Sequence, residues 1–129
     1  MAKLLYDTTK NKDLLYITKV DILDPFLIID TGKTKYVVID HREFGLLQEK
    51  NTDSDVVPVL LEDVYKEMGA GKKFSDIAFY LLQKYGVDKK EIEVSSSFPV
   101  GLADALREKG IILTLVSFIC PQRAVKTES

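Results

Sequence analysis

Two apolar runs joined by a glycine turn constrain the fold more than anything else in this chain. The first is PFLIID, Pro25–Asp30, and the second is KYVVID, Lys35–Asp40, with Thr31-Gly32-Lys33 between them. A strand with one wet face alternates apolar and polar residues. PFLIID is apolar as far as Asp30, the pattern of a strand buried on both faces. KYVVID is again apolar and carries β-branched residues, which pack well on a pleated surface. Gly32 can take positive φ without steric cost, so the short turn closes an antiparallel hairpin.

The flanking sequence supplies further strands and the helices to cover them. Lys3–Asp7 reads as a short strand and Thr8–Asp13 as a turn. Leu14–Val20 fits either a strand or one or two helical turns, because periodicity cannot decide at that length. Asp24-Pro25 breaks the chain, since Pro25 pushes its predecessor out of the helical region. His41–Lys50 reads as a helix capped by Asp40, with Phe44, Leu47 and the stem of Gln48 on one face. VVPVLL, from Val56, is strand-like, and Pro58 marks it as an edge or a bulge. Glu62–Met68 is a short helix stopped by Gly69-Ala70-Gly71. Ser75–Tyr85 is a helix with Ser75 as cap, Asp76 in its first turn and Gly86 at its end; Ile77, Tyr80, Leu81 and Tyr85 line its core side. Glu91–Val94 is a short strand. Pro99–Lys109 is a helix with Leu102, Ala105 and Leu106 on one face and Gly110 at its end. Ile111–Ile119 is a last strand-like run. This order predicts an α/β fold, a mixed β-sheet with helices on both faces, over residues 1–120, and a linker-like segment over 121–129.

Bulk properties narrow the function. The chain has 129 residues, which suits one domain. Such a domain hides roughly two-thirds of the surface that its unfolded chain exposes, so it needs neither metal nor disulfide to stand. Net charge is −2, and the 18 basic residues are scattered. Tracking a phosphate backbone wants a concentrated basic face, so a nucleic-acid partner is not expected. The single cysteine, Cys120, cannot form an intrachain disulfide and reads as a small buried hydrophobe. No run approaches the ~20 apolar residues of a membrane span, and MAKLLYDTTKNK lacks the apolar core of a signal peptide. A soluble, cytoplasmic protein without a membrane partner is the expectation.

The search for chemistry is mostly negative. IIDTGKTKYVVID invites two readings. The phosphate loop of actin-like ATPases belongs to a two-lobed fold that 129 residues cannot supply. A ribonuclease-H-like metal-dependent nuclease would use Asp30, Asp40 and Glu43, but two ions ~3.5–4 Å apart need three or four converging carboxylates. Asp30 and Asp40 flank opposite ends of a hairpin. The plainer reading has Asp30 starting a turn and Asp40 capping a helix. His41 is the only histidine, and there is no His-Glu-x-x-His or Cys-x-x-Cys, so it is expected to be a solvated or hydrogen-bonded first-turn residue. Gly69-Ala70-Gly71-Lys72-Lys73 lacks the spacing and hydroxyl of a phosphate loop. Ser95-Ser96-Ser97 has no base beside it in sequence.

Both ends and the middle together resemble a known family. A short strand is followed by Asn11 and by Tyr16-Ile17-Thr18-Lys19. Then come Asp24-Pro25, the hairpin and a helix beginning Arg42-Glu43, and finally a strand leading into Arg123-Ala124-Val125-Lys126-Thr127-Glu128. This resembles the N-terminal domain of the creatinase, prolidase and Xaa-Pro aminopeptidase family, metallopeptidases with a pita-bread catalytic domain. Tyr16-Ile17-Thr18 matches the family's Tyr-Leu-Thr, and Lys19 stands where Gly is usual. Arg123, Lys126, Thr127 and Glu128 match the linker that enters the catalytic domain.

The resemblance implies a ribonuclease-H-like arrangement of the sheet. It implies two divalent metal ions (Mn, Co or Zn) held by the pita-bread domain, with no ligand among the residues of this chain. It implies a non-catalytic role in the assembly of a homodimer and in gating short proline-containing peptides. Tyr16, Thr18, Lys19 and Asp24 are the positions by which this chain would face an active site or an interface. A stand-alone protein-interaction module is the third reading.

Overall fold

A computed structural model describes residues 2–50, 53–69 and 72–116. The hairpin forms as the sequence predicts. Strand β2 (Phe26–Asp30) pairs antiparallel with β3 (Lys35–Ile39), Leu27 opposite Val38 and Asp30 opposite Lys35. In the turn, the Gly32 amide donates to Asp30 Oδ1 at 2.8 Å, and Gly32 takes a φ of 95°. Both strands lie inside the sheet. β1 (Ala2–Asp7) pairs antiparallel with β2, β4 (Val56–Leu60) parallel with β3, β5 (Glu91–Ser95) parallel with β1, and β6 (Ile112–Val116) parallel with β5. The order is β4-β3-β2-β1-β5-β6. β2 therefore runs against the others, and the carboxyl ends of β1, β3, β4, β5 and β6 share one edge of the sheet.

Alternation along each strand divides the core in two. Leu4, Leu27, Ile29 and Val38 face one side, where they pack against α3 (Leu61–Met68), α4 (Phe74–Lys84) and α5 (Val100–Glu108) through Val64, Ile77, Leu81 and Leu106. Leu5, Ile28, Val37 and Ile39 face the other side, against α1 (Lys12–Thr18) and α2 (His41–Lys50), which contribute Leu14, Ile17 and Leu47. Helices on both faces leave the central strands dry, which is why PFLIID carries no alternation.

Several local expectations are refined. Leu14–Val20 falls mostly in a helix, because Asn11 caps it: the Asp13 amide donates to Asn11 Oδ1 at 2.9 Å. Ser75 does not cap α4. The cap position is Lys73, and the Asp76 carboxylate accepts the Lys73 amide at 3.2 Å, which leaves Ser75 inside the first turn. Pro58 sits in the edge strand β4, as its missing N–H requires. The last strand is described as far as Val116; Ser117–Ile119, Cys120 and the segment 121–129 lie outside the described residues.

Candidate functional site

The carboxyl edge of the sheet gathers several of the polar side chains that the sequence singles out, Asp24, Asp40 and His41 among them. α2 begins there because Asp40, just past β3, caps it: Asp40 Oδ1 accepts the amides of Arg42 at 3.0 Å and Glu43 at 3.3 Å. Its other oxygen accepts from Arg42 Nε at 3.3 Å and from the Arg42 guanidinium at 2.9 Å. The guanidinium also reaches Asp24 Oδ2 at 3.1 Å. Arg42 thus ties the loop before β2 to the start of α2. Its hydrogen bond holds the Asp40 carboxyl below the usual carboxylate range, more than burial raises it. Exposed pairs of this kind add little to stability, because solvent screens them.

His41 sits beside this bridge. Its Nδ1 lies 2.6 Å from Glu62 Oε2, and its backbone amide donates to the same oxygen at 3.1 Å. Burial pushes the Glu62 carboxyl up, but the hydrogen bonds from the His41 ring and amide and from Glu62's own backbone, with the His41 charge, bring the net shift down. The expectation of a hydrogen-bonded first-turn histidine holds. A small cavity of about 70 Å³ opens beside Asp24 and Asp40, lined also by Pro25, Glu43, Leu61 and Phe74 among others. Along the edge, Asn11 Nδ2 donates to Ser97 Oγ at 3.3 Å, and the Ser95 and Ser97 hydroxyls lie 2.8 Å apart.

The segment Tyr16–Asp24 divides by exposure. Tyr16 is exposed on α1, and Asp24 is exposed on the rim. Thr18 is fully buried; its hydroxyl points to the carbonyls of Leu14 at 2.9 Å and Val20 at 3.1 Å. Its side chain shapes the loop from inside and presents nothing to solvent. Lys19 caps the carboxyl end of α1 in the left-handed region, with φ 59° and ψ 22°. Farther on, Thr9 pins the return of the loop: its hydroxyl accepts the Ile22 amide at 2.7 Å, and its own amide donates to the Ile22 carbonyl at 3.0 Å. Leu23 is left 80% exposed at the rim.

The nuclease reading fails on this geometry. Asp30 pairs with Lys35 at one end of the hairpin, and Asp40 follows β3 at the other, five residues or ~17 Å along the strand. Glu43 stays with Asp40. Among the described residues no three His, Cys, Asp or Glu side chains come together to hold a metal ion. Two participants were not foreseen, Arg42 as the bridge and Glu62 as the partner of His41. Asp24 and Arg42 are 18 residues apart, and His41 and Glu62 are 21 apart, so no local spacing announces either pair.

No protein-family model and no curated protein matches the chain. Solved structures do. The prolidase from Pyrococcus horikoshii superposes with a TM-score of 0.56 at 21% identity, over 89% of this chain and 28% of that one. The X-Pro aminopeptidase from Thermotoga maritima gives 0.59 at 15% identity, over 91% and 30%. The Xaa-Pro dipeptidase from Bacillus anthracis gives 0.61 at 12% identity, over 90% and 28%. The fold is that of the prolidase N-terminal domain. This chain spans less than a third of each of those proteins. In this fold, the Lys19 position has a physical meaning. The place where the family usually carries Gly is the place where the helix ends with positive φ, and Lys19 is the only non-glycine residue with positive φ among the described residues.

Proposed function

We propose that this chain serves as the non-catalytic N-terminal domain of an Xaa-Pro dipeptidase or aminopeptidase, working beside a pita-bread catalytic domain in the cytoplasm. Its tasks are assembly of a homodimer and restriction of the active-site mouth to short proline-containing peptides. The observation that carries this reading is the superposition of about 90% of this chain on under a third of three such enzymes. The two divalent ions of the peptidase reaction belong, in this reading, to the catalytic domain. The described residues of this chain offer them no group of ligands, and no step through the ions is assigned here.

The exposed rim around Leu23 and Asp24, fixed by Arg42 and by the Thr9–Ile22 clip, is the surface assigned to gating. A gate must keep its shape when a longer peptide presses on it, and these bonds brace the loop. The test adds the 129-residue chain to an Xaa-Pro peptidase catalytic domain lacking its own N-terminal domain. Turnover of long proline-containing peptides should fall while that of dipeptides is kept. Length selectivity that does not change would contradict the gating role.

A further inference from the structure

The two edges of the sheet are built differently. β4 carries Pro58 at its centre, and proline cannot offer the N–H that an incoming strand needs. β6 reads ILTLV, with no proline, glycine or charge. Among the described residues no strand pairs with its outer side. Ile112 is 60% exposed on one face of β6 and Leu115 is 65% exposed on the other. Leu115 also walls a groove of about 230 Å³ with Phe98, Val100, Ala103 and Arg107, and Val100 is itself 74% exposed. Apolar surface therefore runs from the strand edge onto α5, with Arg107, Ser95 and Ser96 as the polar members of the groove wall. Exposed edges in soluble proteins are generally blunted by lysine, proline or a bulge. Among the described residues, the β4 edge has such a device and the β6 edge has none.

We propose that the outer side of β6 pairs antiparallel with β6 of a second copy of this chain, so that the sheet continues across a two-fold axis. An axis normal to the sheet at Thr114 sets Ile112 opposite Val116, Leu113 opposite Leu115, and Thr114 opposite its own copy. Every pair is then apolar on apolar or threonine on threonine, the combinations that stabilise neighbouring strands. Axes centred on Leu113 or Leu115 shorten the paired stretch. A two-fold also sets each charge near its own copy, and a strand without charge escapes that repulsion. The same neutrality argues against a charged peptide as occupant, because β6 has no counter-charge with which to select one. The Thr114 hydroxyl is already engaged with Glu91 and is not needed across the axis. Five residues from each copy bury less than the ~1,200 Å² of a stable interface, so the isolated chain dimerises only as concentration rises. The pairing gives the proposed assembly role a surface, but it stands on the strand alone, and its test is separate from any peptidase assay.

Sedimentation of the whole chain between roughly ten micromolar and one millimolar reads the association directly. The unsubstituted chain and a Val57→Lys control on β4 should pass from monomer to dimer. Leu115→Lys, and separately Ile112→Lys on the other face, should raise the dissociation constant at least about tenfold while circular dichroism stays unchanged. Two variants on opposite faces guard against a folding defect in either. A chain monomeric throughout, or dimers as strong in both lysine variants, overturns the proposal. So does a monomer that captures an added extended ILTLV peptide, an outcome that assigns the edge to a different chain.

Discussion

Lys19 holds a backbone conformation that costs an L-residue about 1–2 kcal/mol relative to glycine, part of which glycine forfeits through its freer unfolded chain. Lys19→Gly is therefore expected to stabilise the domain by about 0.5–1 kcal/mol, read as a higher urea midpoint at unchanged slope. A lower midpoint would show that the lysine side chain has compensating contacts. Tyr85 offers a second residue-scale test. Burial, and after it the Tyr36 ring stacked on it at 3.7 Å, pushes its hydroxyl from 10.0 up to about 12. Because the folded state keeps the proton longer than the unfolded state does, the contribution of Tyr85 is intact below pH 10 and is lost as pH rises toward 12. Tyrosinate absorbance should show one ring ionising later than the others, and Tyr85→Phe should remove that late step. Neither feature was legible beforehand in full. The departure of Lys19 from the family's glycine could be seen in sequence, but its φ could not. Tyr36 and Tyr85 are joined only by folding.

At the scale of elements, the α2 cap shows how one side chain serves helix and loop together. Asp40→Ala should cost about 1 kcal/mol at neutral pH, the usual loss for an N-cap. Its folded-state pKa lies below the ordinary 3.8, so the stabilisation is present above that value and lost as pH falls through the lower one. The gap between Asp40→Ala and the unsubstituted chain, followed by denaturant melts, should close as the solution is acidified below pH 3.8. A gap that persists in acid would mean that the carboxylate charge is not what matters. Here the sequence was more informative. The hairpin, α2 and its cap, and the edge position of Pro58 all follow from local chemistry, because turn residues, caps and missing N–H groups act over a few positions. Leu14–Val20 stayed ambiguous because seven residues carry too little period; Asn11, which settles it, lies outside the run. Ser75 was misassigned because Asp76, three positions past Lys73, bonds the cap backbone instead.

For the whole molecule, continuous apolar strands implied helices on both faces, and the two separate core clusters have that form. The sheet order was not legible, since β1 meets β5 across most of the chain and nothing local encodes that pairing. The candidate site was legible in its components and not in its joins. Asp24, Asp40 and His41 stood out as types, whereas the reach of Arg42 and Glu62 depended on the fold. What unites these observations is a domain that fills its own core and sets the rim carboxylates Asp24, Asp40 and Glu62 in a helix cap and ion pairs; among the described residues, no group of them gathers to hold a metal ion. The most direct measurement is hydrolysis of an Xaa-Pro dipeptide by the purified 129-residue chain with added Mn²⁺ or Co²⁺. The account predicts no turnover above the metal-only rate. Sustained turnover that co-purifies with the chain would contradict it.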